Sequence, residues 1–522
     1  MKTSLLFLLL SLGFPLLRAQ PAFEKLPIGQ YQVGFKIIPI TDKSRVSKPL
    51  YNYLGEKETG SRYRTFNIHL WYPVKPNTGK GKITYEEYCY TENLTSTSGS
   101  FDAEKKHGLI NSYRTYFQGY FGNISDADWK KLSETALLSQ KEASPLKEKF
   151  PLLIGVLRPL STSITNELTA SNGYVVAMII GDNASASSPQ IRFIDEVTDM
   201  RLAIAHLNQA GLIDEERIGT YGFSGSGFSQ VLLAMQDKRI GALADIESAI
   251  YGESSWDQLA STNYYDVKKL QVPFLHIYGK RLAQGDTHFE DFHKKIYSDR
   301  YHLQLNYQGL HHWDMATEGR ASTTILHNRG EKEPSLRASY ELVNQYLLHF
   351  FNAVLKKDKT SQQKLSAATA FSQYPDSLWT FKQYPALPPP PDVQQFTEVI
   401  QKKGIDTALV IARKYITLDS TAPFLHENAI NQLAHTFRRQ NKPTEALTLM
   451  EFATEVHPRE AWLWNNLGSM QEDLGNKAEA IRHSEKVLQM LPPTQTTDMS
   501  FDARIRRNSA ARLERLKTIN SN

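Results

Sequence analysis

Short apolar runs alternate with helical stretches from about residue 28 to residue 358. QVGFKIIPI (32–40) and FNIHLWYPV (66–74) alternate apolar and polar positions and end in turn signals, which predicts an antiparallel pair of strands. FPLLIGV (150–156), YVVAMII (174–180), RIGTYGF (217–223), ALADIES (242–248), VPFLHIY (272–278) and HLQLNY (302–307) are nearly continuous apolar segments, the pattern of strands buried on both faces. Between them IDEVTDMRLAIAHLNQA (194–210) and FSQVLLAMQDKRI (228–240) carry apolar residues at helical spacing. Strands alternating with helices predict an α/β domain with a mainly parallel sheet covered on both faces. Residues 80–148 are polar and aromatic and read as a cap or insertion at the sheet edge.

Residues 359–392 read as a linker that ends in PALPPPP (385–391), because consecutive prolines continue neither a helix nor a central strand. The pattern then becomes wholly helical over 393–492, with a helix or tail over 493–522. Leu433 recurs as Leu467, Ala446 as Ala480 and Pro458 as Pro492, each after roughly 34 residues. With Trp464-Asn465-Asn466-Leu467-Gly468, this period resembles tetratricopeptide repeats and implies an all-α repeat domain with a possible protein partner. GIDTALVIARKYITLDS (404–420) reads as a degenerate further copy.

Composition adds exclusions. A chain of 522 residues suggests two to four domains, and a formal charge of +5 is too small and dispersed to argue for nucleic acid. One cysteine, Cys89, excludes an intrachain disulfide and a zinc site built on several cysteines. Its acidic neighbours would raise a thiol pKa, so Cys89 makes a poor nucleophile. Residues 1–20 put Lys2 before an apolar run from Ser4 to Leu17 and end in Arg18-Ala19-Gln20, the form of a secretory signal peptide. Later segments are too short or too polar to span a bilayer, so the expectation is a secreted or periplasmic protein with no transmembrane segment after signal removal.

The sharpest chemical signal is RIGTYGFSGSGFSQVLLAM (217–235), an apolar strand running through Gly222-Phe223-Ser224-Gly225-Ser226-Gly227 into an apolar helix. This is the context of a nucleophile elbow, where a serine sits on a strained strand-to-helix turn and its neighbours two positions away are small. Ser224 is the candidate nucleophile, the Gly225 N–H a candidate oxyanion donor, and Ser226 stands where glycine is usual. The spacing is not G-x-G-x-x-G, and no lysine follows as in a phosphate-binding loop. A serine hydroxyl needs a base, and Gly309-Leu310-His311-His312-Trp313-Asp314-Met315 supplies one after the last strand. His312 is preferred over His311 by the form G-x-x-H-x-D-hydrophobic. The third member is a carboxylate at another strand end. Glu247 and Asp286 compete for it, with Asp245 behind them.

Together NIHLWYPV, ASNGYVVAMI (170–179), DMRLAIAHL, GFSGSG and GLHHWDM resemble the α/β-hydrolase superfamily over roughly residues 28–355. The likeness is greatest to the dienelactone hydrolase and platelet-activating-factor acetylhydrolase group. That resemblance implies a serine hydrolase acting on small-molecule carboxylic esters or lactones, with no metal or organic cofactor. In acetylhydrolase-like members the acid lies about 23 residues past the serine, which selects Glu247, although those enzymes use Asp there. One departure concerns the loop that gives the second oxyanion donor. Here it is Leu157-Arg158-Pro159-Leu160, and proline has no N–H to give. The alternatives are a peptidase using the same triad, or an impaired hydrolase scaffold that binds partners through its repeats.

Overall fold

The computed structural model describes residues 20–46, 54–57, 63–76, 78–91, 101–156, 160–181, 188–248, 253–280, 297–366, 371–493, 495 and 498–518. The signal-peptide run, Asp286 and Leu157-Arg158-Pro159 therefore lie outside the described residues. The chain divides into two compact units, Met1–Leu387 and Pro388–Asn522.

In the first unit the described strands form one eleven-stranded sheet. They are β1 (Gln32–Val46), β2 (Tyr63–Val74), β3 (Lys82–Thr84), β4 (Ala136–Lys141), β5 (Phe150–Val156), β6 (Val175–Gly181), β7 (Ile213–Phe223), β8 (Ile240–Ile246), β9 (Phe274–Gly279), β10 (Arg300–Leu305) and β11 (Trp379–Tyr384). The spatial order is β11-β10-β9-β8-β7-β5-β6-β2-β1-β4-β3. The run from β6 to β10 is parallel, while β2 pairs antiparallel with both β6 and β1, β1 pairs parallel with β4, and β11 pairs antiparallel with β10.

The order reverses at β5, so successive crossovers fall on opposite faces. Helix α4 (Ser163–Ser171), between β5 and β6, buries Ile164, Leu168 and Ala170 in the core on one face. Helix α5 (Pro189–Gln209), between β6 and β7, buries Phe193, Val197, Met200 and Ile204 in the core on the other. Pro189 at the first helical position and the Ser188 hydroxyl, which accepts from Ile191 N–H, start α5 where its apolar stripe begins. A buried ion pair ties α5 to β2: Arg64 donates to Asp199 at 2.6 Å, both nearly inaccessible.

Although its apolar and polar positions alternate, β2 is buried on both faces, including Asn67 and His69. Its position between β1 and β6, with a core on each side, overrides the pattern. Within the insertion, β3 and β4 extend the sheet edge beside β1. Helices α1 (Tyr85–Thr91), α2 (Ala103–Phe121) and α3 (Asp126–Ser133) complete it.

Most of the expected 359–392 linker is folded. Lys359–Ser366 is helical, and β11 pairs with β10 as an edge strand. Trp379 and Phe381 pack on Tyr346 with ring centroids 5.6 and 4.5 Å apart, so burial recruits a short run that the adjacent prolines masked. The first unit also starts before residue 28, since Ala22 and Phe23 are buried and the Arg320 guanidinium donates to the Ala22 and Glu24 carbonyls.

The second unit is all-helical among its described residues: Val393–Lys403, Ile405–Leu418, Glu427–Arg439, Pro443–Val456, Ala461–Asp473, Lys477–Met490 and Phe501–Thr518. Gly468, the glycine of the Trp464 motif, has a specific reason to be small. A Cβ there would lie 2.8 Å from the Arg512 guanidinium. That group reaches in from the last helix to the Asn465 carboxamide and the Ser484 hydroxyl.

Candidate active site

β7 leads directly into Ser224, whose φ of 58° puts a non-glycine residue in the left-handed region. Such a residue costs about 1–2 kcal/mol and persists where its surroundings fix it. Here Ser226 does the fixing. Its hydroxyl accepts from the Phe223 N–H at 2.9 Å and donates to the Phe223 carbonyl at 2.8 Å, closing the turn. Serine in place of the usual glycine is thus a staple, and Ser226 Oγ is committed to the backbone. A Cβ on Gly222 would lie 2.8 Å from that hydroxyl, which explains the glycine two residues before Ser224. Helix α6 (Gly227–Gln236) follows at once and buries nearly all its side chains. A Cβ on Gly225 would meet nothing, so its backbone faces open space.

The strand register brings the favoured acid alongside. Phe223 pairs with Ile246, so Ser224 and Glu247 leave adjacent strands at the same level. Glu247 also has a positive φ, 49°. Its carboxylate accepts from the Gly279 N–H at the end of β9 at 2.7 Å. Asp245 is occupied elsewhere: both it and His276 are fully buried, and its Oδ1 bonds the His276 Nδ1. The structure therefore separates Asp245 from the serine turn and keeps Glu247 beside it.

His312 opens a short helical turn, His312–Met315, after β10. Its ring stacks on Phe223, the residue before Ser224, at a centroid distance of 4.6 Å and an angle of 26°. Met315 of the same turn approaches Gly279 from the same side as the Glu247 carboxylate, each about 3.5 Å from a Cβ placed there. Asp314, nearly inaccessible, holds the turn: it accepts from the His311 N–H at 2.7 Å and from Arg329 at 2.6 Å. His311 is exposed, whereas His312 is partly buried against the elbow. Ser224 and Glu247 thus follow the paired ends of β7 and β8, and His312, after β10, lies with its ring on the residue before Ser224, with Gly225 in the turn.

From β1 to β10, the strands outside the β3–β4 excursion run in the order β1-β2-β6-β5-β7-β8-β9-β10, with the serine turn after β7 and the histidine loop after β10. The first unit is an α/β-hydrolase fold. Residues 67–264 of it match the family model of the X-Pro dipeptidyl-peptidases (S15 family), which supports a hydrolase of the α/β-hydrolase type. Among solved structures, a ferulic acid esterase from Streptomyces cinnamoneus is similar at 16% identity and a TM-score of 0.48, spanning 68% of this chain and 98% of that one. No curated protein matches the sequence significantly.

The α/β-hydrolase unit brings two residues to the site that carry no sequence motif. Tyr116 and Tyr120 of α2 each lie 5.6 Å from the Trp313 ring, which adjoins His312 at 5.0 Å. The insertion therefore supplies an aromatic wall next to the histidine. Only its aromatic richness hinted at this. Among the described residues no cluster of side chains could hold a metal ion, and no helix is long and apolar enough to cross a membrane.

A buried carboxyl ties the insertion to α4. Glu167 accepts from the Tyr88 hydroxyl at 2.7 Å and from the Leu138 N–H at 2.6 Å, and Trp71 Nε1 donates to Tyr88 at 2.7 Å. Burial pushes the Glu167 carboxyl up to about 7, against these donors. Between its ordinary value near 4.5 and pH 7 the folded chain holds this proton more firmly than the unfolded chain. Stability therefore falls as pH rises through that window. Glu167→Gln, whose NH2 can donate to Tyr88, is expected to flatten this slope. Its advantage over the wild type should grow from pH 5 to pH 8 by at most about 3 kcal/mol in urea unfolding. An unchanged slope would refute the assignment.

Proposed function

We propose that the chain is an exported serine hydrolase, secreted or periplasmic, that cleaves carboxylic esters or lactones through an acyl-enzyme. Ser224 attacks the carbonyl, His312 takes its proton and returns it to the leaving group, and Glu247 orients and stabilises the imidazolium. The Gly225 N–H faces the developing oxyanion, aided by the N-terminus of α6. Water then releases the acyl group by the same steps. Within the superfamily we place it with the dienelactone hydrolase and acetylhydrolase group, and we read the helical unit as tetratricopeptide-like repeats that take a protein partner. One observation carries the catalytic reading. The only residue between the β7 strand and the stapled Ser226 turn that offers an uncommitted hydroxyl is Ser224, and the His312 ring packs on its immediate neighbour.

A second reading, hydrolysis of peptide bonds by the same residues, is favoured by the match of residues 67–264 to the X-Pro dipeptidyl-peptidase model. A fluorophosphonate probe on the purified protein tests the common core. Labelling of the wild type that disappears in Ser224→Ala is expected; an unlabelled, folded wild type would leave only a scaffold. Short acyl esters against X-Pro anilides then separate the two substrates, with turnover of the esters expected.

A further inference from the structure

Helix α2 carries two kinds of aromatic residue. Tyr113, Phe117 and Phe121 are buried in the core, whereas Tyr116 is half-buried and Tyr120 is 56% exposed. Tyr116 and Tyr120 are four residues apart, so they share a face of the helix, and their rings lie 5.1 Å apart. Both reach the half-buried Trp313, at interplanar angles of 82° and 60°. Trp313 in turn meets His312 at 80° and lies 5.6 Å from Phe223 at 55°. The rings therefore form one continuous surface. It runs from Phe223, buried and immediately before Ser224, through Trp313 and Tyr116 to Tyr120 in solvent.

Core packing accounts for the inner end of this surface and not for the outer one, since Tyr120 gains little burial. A contiguous run of partly exposed rings beside a reactive histidine is a ligand-contact surface. Its chemistry restricts the ligand. Phe223, Trp313, Tyr116 and Tyr120 carry no charge, so a charged acyl or alcohol group gains no partner from them. Their rings are tilted against one another, which presents both faces and edges, and a further ring packs on such a surface edge-to-face or offset. We infer that Trp313, Tyr116 and Tyr120 are specificity-determining residues that hold an uncharged aromatic ring of the substrate next to the scissile ester. The inference rests on the reading of Ser224 as nucleophile and names the group its substrate carries. A saturated ring of the same size, a proline ring included, lacks the quadrupole and gains only the buried area.

The test compares benzyl acetate with cyclohexylmethyl acetate, and methyl phenylacetate with methyl cyclohexylacetate. The first pair puts the ring on the alcohol and the second on the acyl group. A methylene insulates the ester from the ring in all four, so each pair differs only in ring saturation. In at least one pair kcat/KM is expected to favour the aromatic member by about 3- to 10-fold. Tyr120→Leu, which keeps apolar bulk at an exposed position, should bring that preference below twofold through KM, with kcat little changed. Tyr120→Phe keeps the ring and should keep the preference. A purely structural role for Tyr120 would shift the melting temperature of both variants and leave the ratio of the two substrates alone. A wild type that a fluorophosphonate labels at Ser224 but that turns over none of the four overturns the inference. So does one that favours the saturated members, or whose preference survives Tyr120→Leu; each leaves the catalytic reading intact. An unlabelled, folded wild type removes that reading instead, and the substrate assignment with it.

Discussion

Replacing His312 by alanine is expected to lower kcat by about 10⁴- to 10⁶-fold, because Ser224 then has no base to take its proton and no acid to protonate the leaving group. His311→Ala is expected to stay within a few-fold of the wild type. The difference follows from the loop: the two histidines are neighbours, but Asp314 holds the backbone of His311 and leaves its side chain exposed. His312 lies with its ring on Phe223. Steady-state ester turnover of both variants, with folding checked by circular dichroism, is the measurement. A His312→Ala enzyme at full activity transfers the role to His311 or removes the triad.

Glu247→Gln is expected to cost about 10⁴-fold in kcat, with KM little changed. The amide keeps the shape and can still accept from the Gly279 N–H, so the variant should fold. It loses the negative charge that stabilises the imidazolium, and it lets the imidazole settle in the wrong tautomer. The positive φ of Glu247, next to Ser224 across the β7–β8 register, fits this role, because backbone strain of this kind concentrates at functional sites. Activity within tenfold of wild type would assign the acid to Asp286 instead. The same variant then serves as the background in which Asp286→Asn is measured.

Much of this arrangement was legible along the chain. Eight runs each became a strand, with bounds differing by at most six residues from those expected, and the antiparallel start and parallel body followed from alternation against continuous burial. The serine turn was readable because a strand, small residues and a helix must be consecutive for it to form. Other features depended on partners far away in sequence. β11 is a short run next to four prolines and becomes a strand only because β10 offers an unpaired edge. The polar residues of β2 are buried because a core covers each face. The tyrosines of α2 reach Trp313 from nearly two hundred residues upstream.

The sequence by itself determined where a strained hydroxyl sits, because backbone sterics at a glycine-rich bend act over a few residues. It also determined the alternation that makes a covered parallel sheet. Only the tertiary structure shows what surrounds Asp245 and Glu247, His311 and His312, and the two serines of the turn, between which the sequence reading stated its preferences. Each choice depends on which side chain finds a competing partner: Asp245 finds His276, Ser226 finds its own backbone, and His312 finds Phe223. Hydrogen bonding and ring packing act over a few ångströms in space, and chain order records such distances only where the backbone is short.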